Sequence, residues 1–294
     1  MKGISLVGSF FLLATALISS CDTVPYKDAY ERQNQNPDTG DTEFAQQVVL
    51  IEDYTGHTCG NCPIAAKEAN RLLAKYPERV VVMGVHCTFF AKPKNLSSGA
   101  FKEDFRTATG DALEVLFNVG SAGLPKGLVN RRRFGSASVS ILNDSDWEAR
   151  LVQILEEPTP GIKVELNPTF NTGNGSLAVQ SKVTFQKGFE GKLKMAMYLT
   201  EDSIVNWQKV YGREPEDQAD YLHRHVLRSD LQVEGDAYLV KNGSPIGIME
   251  AFTSNWITSV ASKVKIKNCH VILILFDPDT NEIVQVGEKK VSIQ

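Results

Sequence analysis

Nine residues constrain this chain more than any others: Thr55-Gly56-His57-Thr58-Cys59-Gly60-Asn61-Cys62-Pro63. An apolar run, Val48-Val49-Leu50-Ile51, comes before them, and a helical pattern follows. Two cysteines spaced C-x-x-C between a strand and a helix have the layout of a redox site. Backbone N–H groups at a helix start lack intrahelical partners, and the macrodipole is positive there. A thiolate at Cys59 would be stabilised by both, with a pKa below the free value of about 8.5. Such a sulfur is a populated nucleophile at neutral pH.

From Pro63 onward, Ile64, Ala65, Ala69, Leu72, Leu73 and Tyr76 recur at helical spacing, and Pro77 ends the pattern. Val80 to Val85 reads as a second buried strand, so the start of the domain is a β-α-β unit with parallel strands. Phe101 to Ala108 reads as helical, with a further turn from Asp111 to Phe117. Pro125 precedes the run Leu128-Val129-Asn130-Arg131. Proline cannot donate to a ladder, which places it at a strand start or edge. Asp144 is the expected cap of a last helix, with Trp147, Leu151, Ile154 and Leu155 on its buried face.

Pro158-Thr159-Pro160-Gly161 marks a boundary. Beyond it the apolar period changes to two: Ile162, Val164 and Leu166; Leu177, Val179, Val183 and Phe185; Leu193, Met195, Met197 and Leu199. Cys269 to Phe276 is a strongly apolar strand, Asp277 to Asn281 a turn, and Ile283 to Val286 its partner strand. Several short strands with turns between them argue a β-sandwich of immunoglobulin-like type. Asn206 to Tyr221 is a polar connection with no assigned element.

The first 20 residues read as a leader outside the fold. Lys2 is a positive n-region, and Ile4 to Ile18 is apolar but short for a bilayer span. The leader ends in Ile18-Ser19-Ser20-Cys21, the pattern of a bacterial lipobox. Cys21 would then be the first mature residue and carry lipid. Residues 21–43 read as a polar tether, 44–157 as the α/β domain and 158–294 as the sandwich. The protein is thereby anchored to a membrane rather than threaded through it. The net charge is −4 over 294 residues, with both signs dispersed, which excludes a clustered nucleic-acid surface. No residue pattern calls for a cofactor.

The chain resembles the thioredoxin superfamily over residues 44–157. The resemblance rests on Cys59-Gly60-Asn61-Cys62, on Asp53 six positions before the first cysteine, and on Pro125 before a later strand. It implies an α/β thioredoxin-like domain in which Cys59 attacks, Cys62 resolves and Asp53 moves the proton of Cys62. It also implies a cis Leu124–Pro125 bond facing the pair. Asn61 stands where thioredoxin itself has proline. With a lipobox, T-G-x-x-C-G-N-C-P, a Leu-Pro step before a strand, and His223-Arg224-His225-Val226-Leu227-Arg228, the chain is similar to the outer membrane protein 28 family of Bacteroidetes lipoproteins. That likeness implies an outer-membrane or surface lipoprotein of the cell envelope.

Two readings of function follow. In the first, a tethered thiol–disulfide oxidoreductase acts on envelope proteins that carry thiols or disulfides. In the second, the protein is a binding or adhesion lipoprotein with a structural Cys59–Cys62 disulfide. His57 is a candidate to stabilise a thiolate as His⁺. Cys87 and Cys269 read as small buried hydrophobes rather than a bridge. His223 and His225 would share a strand face, but no third ligand is in reach, so no metal site is assigned. A further reading has His57, His86 or His223 handling a metal or thiol ligand. Arg131-Arg132-Arg133 reads as a solvated strand.

Overall fold

The computed structural model describes residues 44–231, 238–240 and 245–294. The leader, Cys21 and the tether lie outside the described residues. Strand β1 (Val49–Thr55), helix α1 (Cys62–Lys75) and strand β2 (Val80–His86) make the expected unit, with β1 and β2 parallel throughout. Both strands are buried on both faces, which is why they are continuous apolar runs. The next helix, α2 (Ala108–Phe117), starts where the sequence reading of a helix from Phe101 ends. Thr107 caps it, its hydroxyl accepting from the Gly110 N–H at 2.9 Å. Strand β3 (Lys126–Val129) runs antiparallel to the other side of β1. Helix α3 spans Asp144–Leu155, with Asn143 rather than Asp144 at the cap position. Asp144 stands instead in the first turn, where the dipole favours a carboxylate.

The rest of the chain is strand: β4 (Ile162–Asn171), β5 (Ser176–Phe185), β6 (Leu193–Glu201), β7 (Ile204–Lys209), β8 (Asp217–His223), β9 (Val226–Asp230), β10 (Tyr238–Val240), β11 (Glu250–Ser259), β12 (Cys269–Phe276), β13 (Ile283–Lys290) and β14 (Ser292–Ile293). The larger sheet has the order β13-β12-β6-β9-β2-β1-β3, with β10 also on β6. Strands from before and after the Pro158–Gly161 connection thus share one sheet. Strand β9 makes the join. It is antiparallel to β6 and meets β2 in parallel at Gly84↔Val226, where the Gly84 N–H donates to His225 O at 2.8 Å. A second sheet, β11-β5-β4-β14, packs over β6 and β12. The polar stretch from Asn206 to Tyr221 is a hairpin: β7 and β8 pair only with each other among the described residues.

Three apolar clusters hold these layers. Ile162, Leu177, Val179 and Phe185 of the second sheet meet Leu193, Met197, Val271 and Leu273 of the first. Odd-numbered residues of β1, Val49 and Ile51, face α1 and α3, including Leu72, Trp147 and Leu151. Even-numbered Leu50 and Tyr54 face the opposite way, toward Leu113, Leu227, Ile272 and Ile274. The period-two geometry of a strand therefore decides which chemistry meets which layer.

Candidate functional site

Cys62 opens α1, and Pro63 sits in its first turn, where the missing N–H costs no hydrogen bond. Cys59 and Cys62 are joined as a disulfide, with Cα atoms 5.4 Å apart. The pair is not open to solvent: Cys59 is 2% exposed and Cys62 1%. A nucleophilic Cys59, as read from the sequence, would need access to a substrate that this burial does not give.

The β7–β8 hairpin packs on the cysteine loop, as does the segment around Phe90, whose carbonyl accepts from the Thr58 N–H at 3.0 Å. The Lys209 N–H donates to His57 O at 2.8 Å, and the Tyr211 N–H to Gly60 O at 3.0 Å. Gln208 is buried, and its Nε2 donates to Cys59 O at 3.0 Å. The Tyr211 ring lies on Gly60, so close that a Cβ there would fall 2.4 Å from Cδ1. Gly60 is thus a glycine because a ring takes its side-chain space. Sequence reasoning missed Gln208 and Tyr211. The available signal was Gly212 and Pro215, turn residues in the middle of the unassigned stretch.

Asp53 is buried, with no hydrogen-bond partner for its Oδ1 among the described residues. Its register neighbours on both sides are glycines, Gly84 on β2 and Gly127 on β3. On the β3 side Trp147 fills the room this leaves. On the β2 side a cavity of about 40 Å³ remains, lined by Asp53, Cys62, Gly84, His86, Gln208 and His223. Burial, with a smaller push from Asp144, raises the Asp53 carboxyl to about 7. The Leu124–Pro125 peptide is cis. Lys126 pairs with Tyr54, which puts Pro125 level with Thr55, the last residue before the cysteine loop.

His57 is fully buried and turned to other partners. Its Nε2 lies 3.1 Å from Lys92 O, and its ring packs on Phe101 and Phe105. Burial lowers its pKa, opposing the role of a cation beside a thiolate. His86 and His223 meet the same Phe105 ring at 4.9 and 4.8 Å, and each other at 5.6 Å. Burial holds His86 well below its ordinary range and His223 at about 4. The three histidines named from sequence therefore do converge, but around a phenylalanine. Among the described residues no group of three or more His, Cys, Asp or Glu is placed to hold a metal ion.

His223 and His225 do not share a strand face. His223 ends β8, and His225 has a φ of 53° and faces Asp202. Cys87 and Cys269 are free and buried. The arginine run is the largest correction. Arg131 is buried, donating from Nε and Nη2 to the two carboxylate oxygens of Glu52 at 2.9 and 2.7 Å. Arg132 is half-buried between Glu157 and Glu282.

The description of the outer membrane protein Omp28 family matches residues 111–294. The chain belongs to the Omp28 family. The Omp28 match starts inside α2 and takes in the hairpin, the second sheet and the larger sheet except for β1 and β2, but not the disulfide. Among solved structures the chain is similar to HBP35 of Porphyromonas gingivalis, at 19% identity over 85% of this chain and 76% of that one, with a TM-score of 0.61. At that identity the likeness shows a shared fold alone. A protein of Agrobacterium tumefaciens (16% identity, 83% and 95% coverage, TM-score 0.48) is too distant in shape to carry an argument. So is a domain of the outer membrane lipoprotein Omp28 from Porphyromonas gingivalis (16%, 45% and 97%, 0.30). No curated protein matches the sequence. As an Omp28 protein the chain belongs to the outer membrane of the cell envelope. The residues matched to Omp28 supply the hairpin, and the residues before them supply the disulfide it covers.

Proposed function

We propose that this Omp28 protein is a lipid-tethered recognition module in which the Cys59–Cys62 disulfide is a structural brace. One observation carries the reading: the pair is buried, and the hairpin is hydrogen-bonded to its loop. An exchange enzyme needs its attacking sulfur to meet a substrate disulfide in line, and this one is covered. In this reading Cys21 carries the lipid. Residues 44–157 are a thioredoxin-like scaffold, and the immunoglobulin-like sandwich of 158–294 engages an envelope partner.

A second reading, thiol–disulfide exchange on envelope proteins, is favoured by a different observation. Asp53 lies in the cavity that Cys62 lines, with its carboxyl near 7. A group with that pKa can hold or release the proton of a resolving cysteine at neutral pH. Here Cys59 would attack, Cys62 resolve, and Pro125 present the substrate backbone.

Insulin reduction and oxidative refolding separate the two readings, with the soluble chain from residue 44 compared to its Cys59→Ser variant. The brace predicts equal, background activity in both proteins. Activity lost on substitution would establish the enzyme instead. The brace also predicts a small stability cost for Cys59→Ser, because the closed loop is short. Chain entropy alone gives about 2 kcal/mol, measurable by urea denaturation.

A further inference from the structure

The β7–β8 hairpin has two parts that are fixed differently. Its pairing is irregular between Asn206 and Gln208, which divides a root from a tip. The root is seated. His223 is buried against His86 and Phe105, Trp207 packs on Phe101, and Asp202 Oδ1 accepts the His225 N–H at 2.9 Å. The tip, from Gln208 onward, is held to the cysteine loop by hydrogen bonds to main-chain carbonyls and by one tyrosine ring. Residues 211–216 are exposed, Tyr211 to 56%. A two-stranded hairpin outside any larger sheet is marginal by itself. Water can replace each of the carbonyl contacts when the tip lifts.

We propose that the tip of this hairpin is a latch over the Cys59–Cys62 disulfide. It lifts about the irregularity at Trp207 while the root stays seated, and the disulfide meets external thiols only in the lifted state. The inference goes beyond either reading of function, since a brace is shielded by such a latch and a catalytic pair is gated by it. The chemistry it controls is ordinary exchange. A thiolate of an external dithiol attacks the Cys59 sulfur, and the Cys59–Cys62 bond breaks. Its electron pair goes to the Cys62 sulfur, which takes up a proton. The second thiol of the reagent, as thiolate, then displaces Cys59, which leaves as a thiolate and is protonated. The dithiol closes to a cyclic disulfide. Two electrons pass from the reagent to the protein.

The test measures the rate at which dithiothreitol reduces the disulfide of the full chain in detergent, read by mass labelling of the freed thiols. Tyr211→Ala and Gln208→Ala should each speed reduction by about tenfold or more, the change that follows when roughly 1.4 kcal/mol of closure is removed. Val205→Ala, on the exposed side of the root, should leave it unchanged. Equal rates in wild type, Tyr211→Ala and Gln208→Ala would overturn the latch. Amide exchange on the unaltered protein decides the matter independently, should a variant fail to fold. The Lys209 and Tyr211 amides, which donate to the cysteine loop, should exchange well before those of β12. Exchange of both only together with β12 would mean that no separate lifting exists, and the proposal would fall.

Discussion

Glu52 and Asp53 are neighbours in the chain and meet opposite chemistry, because successive strand residues point to opposite faces. Glu52 faces the layer that holds Arg131 and is neutralised by two hydrogen bonds. Asp53 faces α1, with glycines beside it and no cation paired to it by any described contact. Burial therefore falls on Asp53 uncompensated, and its carboxyl rises from 3.8 to about 7. The sign of its effect on stability follows. A raised carboxyl pKa means that the folded state holds a proton the unfolded state has already lost. Stability falls as pH climbs from about 4 to about 7, and the loss is complete above that. Asp53→Asn removes the loss. At pH 8 the variant should be more stable than the parent by on the order of 4 kcal/mol, and at pH 4 nearly equal to it. Urea denaturation at pH 4, 6 and 8 checks this; a difference independent of pH would show that Asp53 does not titrate in the fold.

At the scale of elements, helix α3 is set against β3 by a single exchange of volume. Trp147 is fully buried, and its indole lies over Gly127, where a Cβ would come within 2.5 Å of three ring atoms. A ring in a packed core cannot retreat without moving its helix. Gly127→Ala should therefore cost about 1–3 kcal/mol through overpacking, with α3 loosened first, and urea denaturation with Trp fluorescence would show it. An unchanged midpoint would mean that the helix slides freely. Elements of this kind were legible in the sequence wherever an apolar face met the core. The spacing of Ala65, Ala69 and Leu72 gave α1, and the unbroken apolar run after Cys269 gave β12. The hairpin was not legible, because its strands cover a loop rather than a core and so carry little apolar alternation. Arg131 was not legible either, since its partner Glu52 stands 79 residues away and only the β1–β3 register brings them together. The cysteine motif gave the position of the site but not its cover, which comes from a segment about 150 residues further on.

At the scale of the molecule, one sheet passes from β1 and β2 through β9 to the strands that pack against the second sheet, and all five histidines are buried. His57, His86 and His223 cluster around Phe105, while His225 and His270 flank Asp202, with Nδ1 atoms 3.7 and 3.4 Å from its carboxylate. Burial lowers all five, with His223 and His270 at about 4, and Asp202 offsets only part of this in its own pair. A lowered histidine stays neutral in the fold while its unfolded counterpart protonates near 6.5. Its contribution is complete above that pH and is lost progressively down to the folded pKa. Asp53 works in the opposite direction over an overlapping range, but as one group against five. The whole protein should therefore lose stability steeply between pH 6.5 and 4, by roughly 3 kcal/mol for each of His223 and His270. Replacing His270 by Gln should flatten the urea-midpoint profile over that interval and leave the value at pH 8 less affected than the value at pH 4.5. A parent profile that is flat from pH 6.5 to 4 would mean that the rings accept protons without leaving the fold, and that the sheet opens far more readily than its buried strands imply.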